Sequence, residues 1–228
     1  MSEGCSSPPK ETFVVRSAAR ADVSDVATMH GAAIDEGFLS TLGPAFLRRL
    51  YARILVSRHA FLLVAVPAPS AVVGSEPVVG FVAGALSVRG LYREFVLRDG
   101  IGAVVGAAPQ LVRSVPRVLE TLRYGTADEP GAGGEDARGV EAELLSMAVG
   151  SGARRRGIGA SLVEGFKTTA SQLGASRARV VVGEANTGAV SVYRAAGFDQ
   201  ARRFEVHTGT ASLLLRTDLG AARGAEAP

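Results

Sequence analysis

A glycine- and arginine-rich segment at 142–162, AELLSMAVGSGARRRGIGASL, combines residue types that bind phosphate groups. Its apolar first part is typical of a strand, and a turn with glycines then leads to three consecutive arginines at 154–156 and to Gly157 and Gly159. Glycines let the backbone turn tightly, and the first N–H groups of a helix have no partner within it. Arginine pairs bidentately with phosphate oxygens. The segment predicts an anion site for a pyrophosphate, or else a plain strand-to-helix turn with solvated arginines.

Two well-known phosphate motifs do not fit this segment. The phosphate-binding loop ends in Gly-Lys-Ser/Thr, and the chain has no such ending. A dinucleotide fingerprint needs a third glycine, where Leu162 stands, and an early strand–helix–strand unit, whereas this segment comes late in the chain. Neither motif is present.

A second motif follows the first along the chain. The two motifs read Arg154-x-x-Gly157-x-Gly159-Ala160 and Asn186-x-x-Ala189-x-x-x-Tyr193-x-x-x-Gly197-Phe198. In this order and spacing they resemble the acetyl-CoA-binding core of the GNAT N-acetyltransferase superfamily. The resemblance is specific over 141–217, rests on element order alone over 13–86, and does not extend over 87–140, where the family usually has a short connection.

The resemblance implies a set of cofactor contacts. Backbone N–H groups from Arg154 to Ala160 would hold the CoA pyrophosphate, with the arginine side chains near its phosphates. The edge of the preceding strand would pair with the pantetheine amides. Asn186 would face the pantetheine arm, cap the following helix, or do both. The residues so implied are Met147, Ala148, Val149, Arg154, Arg155, Arg156, Gly157, Ile158, Gly159, Ala160 and Asn186.

Acetyl transfer to an amine also needs a base and an acid, because a protonated amine must lose a proton before it attacks a thioester. The resemblance implies Glu143 as the base; Glu141 shares its strand parity and is the substitute, and either could instead be a solvated strand residue. Tyr193 would protonate the departing thiolate or pack half-buried against the sheet. A backbone N–H near Ala148 or Val149 would meet the oxyanion.

The function that follows is N-acetyl transfer from acetyl-CoA to a primary amine, by direct attack in a ternary complex. The acceptor is a small molecule or a peptide, and Asp35, Glu36 and Phe38 are candidate contacts to it. The alternatives are a non-catalytic module that binds or senses acyl-CoA and a nucleotide-binding regulatory domain. We expect no metal, because the histidines His30, His59 and His207 lie on separate elements without ligand spacing.

These motifs need a sheet to position them, and the pattern of the chain predicts one. The fold class is α/β (α+β): a GNAT-like mixed, mostly antiparallel twisted sheet of about seven strands with helices on both faces, plus a helical insertion between the third and fourth strands. The predicted strands are 13–16, 60–66, 78–85, 142–149, 177–183, 204–207 and 212–217. The first predicted helix follows Asp22, which would cap it, and the second begins at Pro44. Further helices are predicted at 91–98, 111–123, 157–173 and 187–196.

The domain limits follow from composition. Residues 1–12 are predicted to be a disordered leader, 13–217 a single acetyltransferase domain, and 218–228 a disordered tail. The insertion covers about 87–140, and its glycine-rich stretch at 126–139 is typical of a loop. Its helices are expected to cover the acceptor side, to form a homodimer contact, or to touch a membrane surface.

The composition excludes several classes of protein. Of 228 residues, 47% are hydrophobic and 21% charged, which is typical of a folded chain. The formal net charge is only +3, tryptophan is absent and 6% of the residues are aromatic, so the basic and aromatic pattern of a nucleic-acid binder is lacking. A single cysteine, Cys5, excludes an internal disulfide. The longest uncharged stretch, 59–75, contains prolines and is too short to span a membrane, and the chain start is unlike a signal peptide. We therefore expect no integral membrane segment and a cytoplasmic location.

Overall fold

The computed structural model describes residues 12–34, 43–68, 77–105, 139–207 and 210–220. The predicted leader before Thr12, the helix at 111–123, most of the loop at 126–139 and the end of the predicted tail lie outside these residues. The strands are β1 (Thr12–Ser17), β2 (Ala60–Ala68), β3 (Gly80–Ala85), β4 (Val140–Val149), β5 (Ala175–Gly183), β6 (Asp199–His207) and β7 (Thr210–Asp218). The helices are α1 (Val23–Ala33), α2 (Gly43–Val56), α3 (Val88–Val105), α4 (Ile158–Gln172) and α5 (Thr187–Ala195).

The strands form one seven-stranded sheet in the order β1-β2-β3-β4-β5-β7-β6. The β4–β5 pair is parallel, and the other neighbours are antiparallel. This arrangement confirms the predicted mixed, mostly antiparallel sheet, with the insertion between the third and fourth strands.

Helices cover both faces of this sheet because their apolar residues repeat at helical spacing. On α4, Leu162, Phe166 and Ala170 lie four residues apart and are fully buried in one core cluster. The other face packs against α1 and α2, whose buried residues include Val26 and Leu50. Residues of the interior strand β3 are buried on both faces, so this strand is an unbroken apolar run.

The inserted helix α3 is longer than the sequence predicted. It begins at Val88, where the Ser87 hydroxyl accepts a hydrogen bond from the Gly90 N–H at 3.0 Å, and it continues to Val105 instead of ending at residue 98. Glycines stand at 100 and 102 within this continuation, although glycine is a poor helix former. Phe95 packs against Phe46 of α2, with ring centroids 5.4 Å apart. The described part of the insertion is therefore docked on α2.

Asp22 precedes α1 as predicted, but its side chain does not cap that helix. The carboxylate accepts hydrogen bonds from the Ala19 N–H at 2.6 Å and from Arg16 at 2.7 and 3.1 Å. Burial alone would raise the pKa of Asp22, but these hydrogen bonds and the charge of Arg16 outweigh it and lower the pKa. The residue ties the turn before α1 to β1.

Substitution Asp22→Asn is expected to destabilise the fold by about 1–3 kcal/mol at neutral pH, because it removes the charge from a buried hydrogen-bonded pair. The folded-state pKa is lowered, so the stabilisation is present above the ordinary carboxyl pKa and is lost as the pH falls through the folded value. Urea unfolding across this acidic range measures the effect. The exposed Asp25→Asn is the control; equal pH dependence in Asp22→Asn and the wild type would contradict the assignment.

Candidate active site

The central feature of the sheet is a split between β4 and β5. Their parallel pairing runs from Val140 to Leu144, opposite Ala175 to Val180. Beyond Leu144, β4 pairs with β3 alone among the described strands. The backbone groups of β4 on the β5 side, up to Val149, are therefore open to a ligand.

The turn after β4 directs backbone donors towards the same end of the sheet. Gly157 and Arg155 both have left-handed backbones, with φ of 82° and 61°. No side chain caps α4, and the first bond closing its initial turn runs from the Ser161 N–H to the Gly157 carbonyl at 3.0 Å. The N–H groups at the start of the helix are left for another acceptor. The three arginines at 154–156 are exposed around this point. We call residues 154–160 the arginine loop.

The arginine loop adjoins the split directly. The Arg154 Nε donates to the Val149 carbonyl at 3.4 Å. A Cβ placed on Gly159 would lie 3.9 Å from Val192 of α5 and 4.0 Å from Val149, which is ordinary contact. The end of β4, the start of α4 and one face of α5 therefore meet at one place.

Asn186 lies at the start of α5 and caps it. Its Oδ1 accepts a hydrogen bond from the Ala189 N–H at 3.1 Å. The capping role left open by the sequence is thus present, and contact with a pantetheine arm remains a prediction.

Tyr193 is buried, 5% exposed, in the core cluster on the α4 face of the sheet. Its ring lies beside Phe198, with centroids 5.9 Å apart. Burial raises the pKa of the phenol, which stays protonated. Within the described residues the hydroxyl has no hydrogen-bond partner, and it is not among the fully buried polar atoms that lack one, so its oxygen keeps some exposure.

The two candidate bases on β4 belong to a charged cluster on the opposite face. Arg179 of β5 donates to Oε2 of Glu143 from Nε at 3.0 Å and from Nη2 at 2.7 Å. Glu141 lies 3.6 Å from Arg179 and 3.1 Å from the Nε of Arg216. Glu143 is next to the last paired position of β4 and β5, whereas Glu141 lies two residues further from the split. Of the two carboxylates, Glu143 is the better placed.

Other polar residues that the sequence did not single out lie on the Glu143 face of the sheet. Burial and the negative charge of Glu143 raise the pKa of Tyr92, on α3, to about 12. A hydrogen-bonded row of His30, Tyr51 and Ser146 lies on the same face. No sequence signal links these residues, because they come from separate elements.

Several other predicted features can be placed only in part. Asp35, Glu36 and Phe38 lie outside the described residues, as does the loop they belong to. Among the described residues, no group of three or more His, Cys, Asp or Glu side chains could hold a metal ion. No helix in the described part of the chain is long and apolar enough to cross a membrane.

The sequence itself matches a family model described as the acetyltransferase (GNAT) family, over residues 90–198. The predicted resemblance to this family is confirmed. The GNAT match covers β4, the arginine loop, α4, β5 and α5, and it begins within α3, further towards the N-terminus than the motifs had indicated. It also confirms the predicted enzyme class, an acyltransferase. A comparison with curated proteins returns no significant match.

Solved GNAT structures show the same fold. NAA60 of Arabidopsis thaliana in complex with acetyl-CoA is 16% identical, with 91% of this chain and 99% of that chain covered and a TM-score of 0.57. A phosphinothricin acetyltransferase of Sinorhizobium meliloti with acetyl-CoA is 15% identical, with 95% and 94% covered and a TM-score of 0.58. The ribosomal-protein-S18-alanine N-acetyltransferase of Escherichia coli is 12% identical, with 95% and 99% covered and a TM-score of 0.53.

Substitution Gly157→Ala is expected to weaken acetyl-CoA binding by at least the free energy that the strained backbone costs. At a φ of +82° an alanine costs about 1–2 kcal/mol, although no atom lies within 4 Å of the new Cβ. Gly174, at the other end of α4, has a φ of +92° and equally open surroundings, so Gly174→Ala is a matched control for the strain. Calorimetry and thermal unfolding separate the two effects. Equal acetyl-CoA affinity in both variants would contradict a ligand role for the loop.

Proposed function

We propose that this protein transfers an acetyl group from acetyl-CoA to a primary amine by direct attack in a ternary complex. The observation that carries the proposal is the uncapped start of α4 beside the open edge of β4. One end of this place offers backbone donors and arginines for a pyrophosphate. The other end offers a strand edge that can hydrogen-bond to amide groups. The site would therefore bind both the pyrophosphate and the pantetheine arm of CoA.

The residues present fit acetyl-CoA. The arginine loop would hold the pyrophosphate through the N–H groups of residues 158–160 and the exposed side chains at 154–156. Met147, Ala148 and Val149 form the β4 edge proposed for the pantetheine amides. When bound, acetyl-CoA supplies an activated acyl group as a thioester. The chain supplies the binding, the base, the oxyanion donor and the acid.

Strand alternation favours one oxyanion donor over the other. The Gly150 N–H bonds to the Val79 carbonyl on the β3 side at 2.9 Å. Successive N–H groups of a strand point to opposite neighbours, so the Ala148 N–H also points towards β3. The N–H groups of Val149 and Met147 point into the split. We therefore assign the oxyanion contact to Val149 and not to Ala148.

Glu143 would act as the base, either directly or through water. Both hydrogen bonds from Arg179 end on Oε2, and Oε1 is the atom we assign to the proton. Arg179 holds the carboxylate in place beside the end of the β4–β5 pairing. Tyr193 belongs to the core cluster on the opposite face of the sheet, and we assign to its hydroxyl the proton for the departing thiolate. Base and acid would thus come from different faces of the sheet.

The acceptor is proposed only as a class, an amine on a small molecule or a peptide. The named relatives differ in this respect, since one acetylates an alanine of ribosomal protein S18 and another is named for phosphinothricin. Tyr92 of α3 lies on the Glu143 side, which supports a role for the insertion in lining the acceptor pocket.

A ligand-stabilisation screen with acetyl-CoA, longer acyl-CoAs, ATP and NAD tests the cofactor, and thiol release with a panel of amines tests the reaction. We expect stabilisation by acetyl-CoA but not by ATP or NAD, followed by amine-dependent thiol release. Stabilisation without release across the panel would favour the acyl-CoA sensor. A response to ATP or NAD alone would overturn the proposal.

A further inference from the structure

Three polar side chains form a buried row that ends at β4. The His30 Nδ1 lies 2.6 Å from the Tyr51 hydroxyl, and this hydroxyl lies 2.9 Å from the Ser146 Oγ. His30 and Tyr51 are 2% and 1% exposed, between α1, α2 and the sheet. Ser146 is half-buried and is the member of the row nearest to solvent.

A bulge in β4 places Ser146 on the same face as Glu143. The register with β3 shifts here, so that Ala83 faces Ser146, Gly84 faces Leu144 and Ala85 faces Glu143. Residues three apart in a regular strand point to opposite faces, and one extra residue reverses this. The two side chains therefore stand two β3 positions apart, about 7 Å along the strand direction. An amine nitrogen hydrogen-bonded to the Ser146 Oγ would therefore exchange its proton with the Glu143 carboxylate directly or through one water molecule.

The direction of the hydrogen bonds in the row follows from the donors available. Burial lowers the pKa of His30 and raises that of Tyr51, so the imidazole is neutral and the phenol keeps its proton. A phenol is the stronger donor and an imidazole nitrogen the stronger acceptor, so Tyr51 donates to Nδ1 across the 2.6 Å contact. A hydroxyl has one proton, and the remaining bond must come from Ser146. The outer side of the Ser146 Oγ then presents only lone pairs.

We propose that Ser146 binds the acceptor amine, with its Oγ accepting one N–H of the amine while Glu143 takes the proton of another. Tyr51 and His30 are positioning residues, because their hydrogen bonds keep the Ser146 proton directed towards Tyr51. This inference rests on the proposed acetyl transfer and adds a basis for its specificity. An alcohol has a single O–H, which the base would take, so nothing would be left to meet the lone pairs of Ser146. The row therefore selects amines over hydroxyl acceptors.

The first test is Ser146→Ala, with Ser146→Thr as the variant that keeps a hydroxyl and Ser171→Ala as a control at the far end of α4. We expect Ser146→Ala to lower kcat/KM for the amine about 10- to 100-fold, the effect of losing a hydrogen bond to a charged group. The Kd for acetyl-CoA should be unchanged, and Ser146→Thr should retain most of the activity. A wild-type kcat/KM in a folded Ser146→Ala would overturn the inference alone. No transfer by the wild-type protein to any amine would overturn the proposed function and this inference with it.

A double-mutant cycle separates positioning from general structural support. Tyr51→Phe should lower kcat/KM in the wild-type background and have no further effect in the Ser146→Ala background, because Tyr51 acts through Ser146. A purely structural role would give the same loss in both backgrounds and would contradict the assignment. The ratio of transfer to an amine and to the matching alcohol should also fall in Ser146→Ala, and an unchanged ratio would contradict the selectivity.

Discussion

Replacement of Glu143 by glutamine is expected to lower kcat for acetyl transfer about 100- to 10,000-fold, the usual contribution of a general base. Glutamine has the same shape and still accepts a hydrogen bond from Arg179, but it cannot take a proton from the amine. The proposed CoA contacts lie in the arginine loop and at the end of β4, so acetyl-CoA affinity should not change. Steady-state rates and calorimetric titration with acetyl-CoA measure the two quantities separately.

Glu141→Gln is the matched control for this substitution. It perturbs the same charged cluster, since Glu141 contacts Arg179 and Arg216, but it lies two residues further from the split. We expect nearly normal turnover. Normal turnover in Glu143→Gln combined with a large loss in Glu141→Gln would show that the two roles had been assigned to the wrong residues.

Replacement of Tyr193 by phenylalanine is expected to lower kcat about 100-fold or more, because the thiolate would leave without a proton donor. Thermal stability should stay close to that of the wild type. The phenol has no hydrogen-bond partner among the described residues, so no internal bond is lost, and the ring contact with Phe198 is retained. Affinity for acetyl-CoA should also be retained.

The contrast with Tyr51→Phe tests this reasoning. Tyr51 hydrogen-bonds to both His30 and Ser146, and its substitution should destabilise the fold by about 1–3 kcal/mol, the cost of leaving a buried group unsatisfied. Thermal unfolding of both variants makes the comparison. A loss of stability in Tyr193→Phe without loss of kcat would contradict an acid role and favour a packing role.

Much of the fold could be predicted from the chain because its signals are local. The apolar spacing of α4, the glycine after it and the β-branched run of β5 each determine an element within a few residues. The arginine loop was recognised for the same reason, since its glycines and arginines are contiguous in sequence. The two motifs together were enough to indicate the family, and the strand order then agreed with it.

The finer geometry of the site could not be read in this way. The bulge in β4 depends on how β3 pairs with it, and nothing in the residues around Ser146 marks the extra position. Arg179 binds Glu143 through the parallel pairing of β4 and β5, which sequence spacing does not reveal. His30 appeared isolated because its hydrogen-bond partner, Tyr51, lies on α2. The continuation of α3 past residue 98 was not predicted, and glycines at 100 and 102 weaken the helix signal there.

Release of the CoA thiol by the wild-type protein, followed with acetyl-CoA and an amine varied together, is the most direct measurement of the proposed function. The predicted result is release that requires both substrates, with intersecting double-reciprocal lines and loss of the signal in Glu143→Gln. A burst of thiol equal to the protein concentration without any amine would contradict direct attack. Tight binding of acetyl-CoA with no thiol release to any amine would contradict catalysis itself.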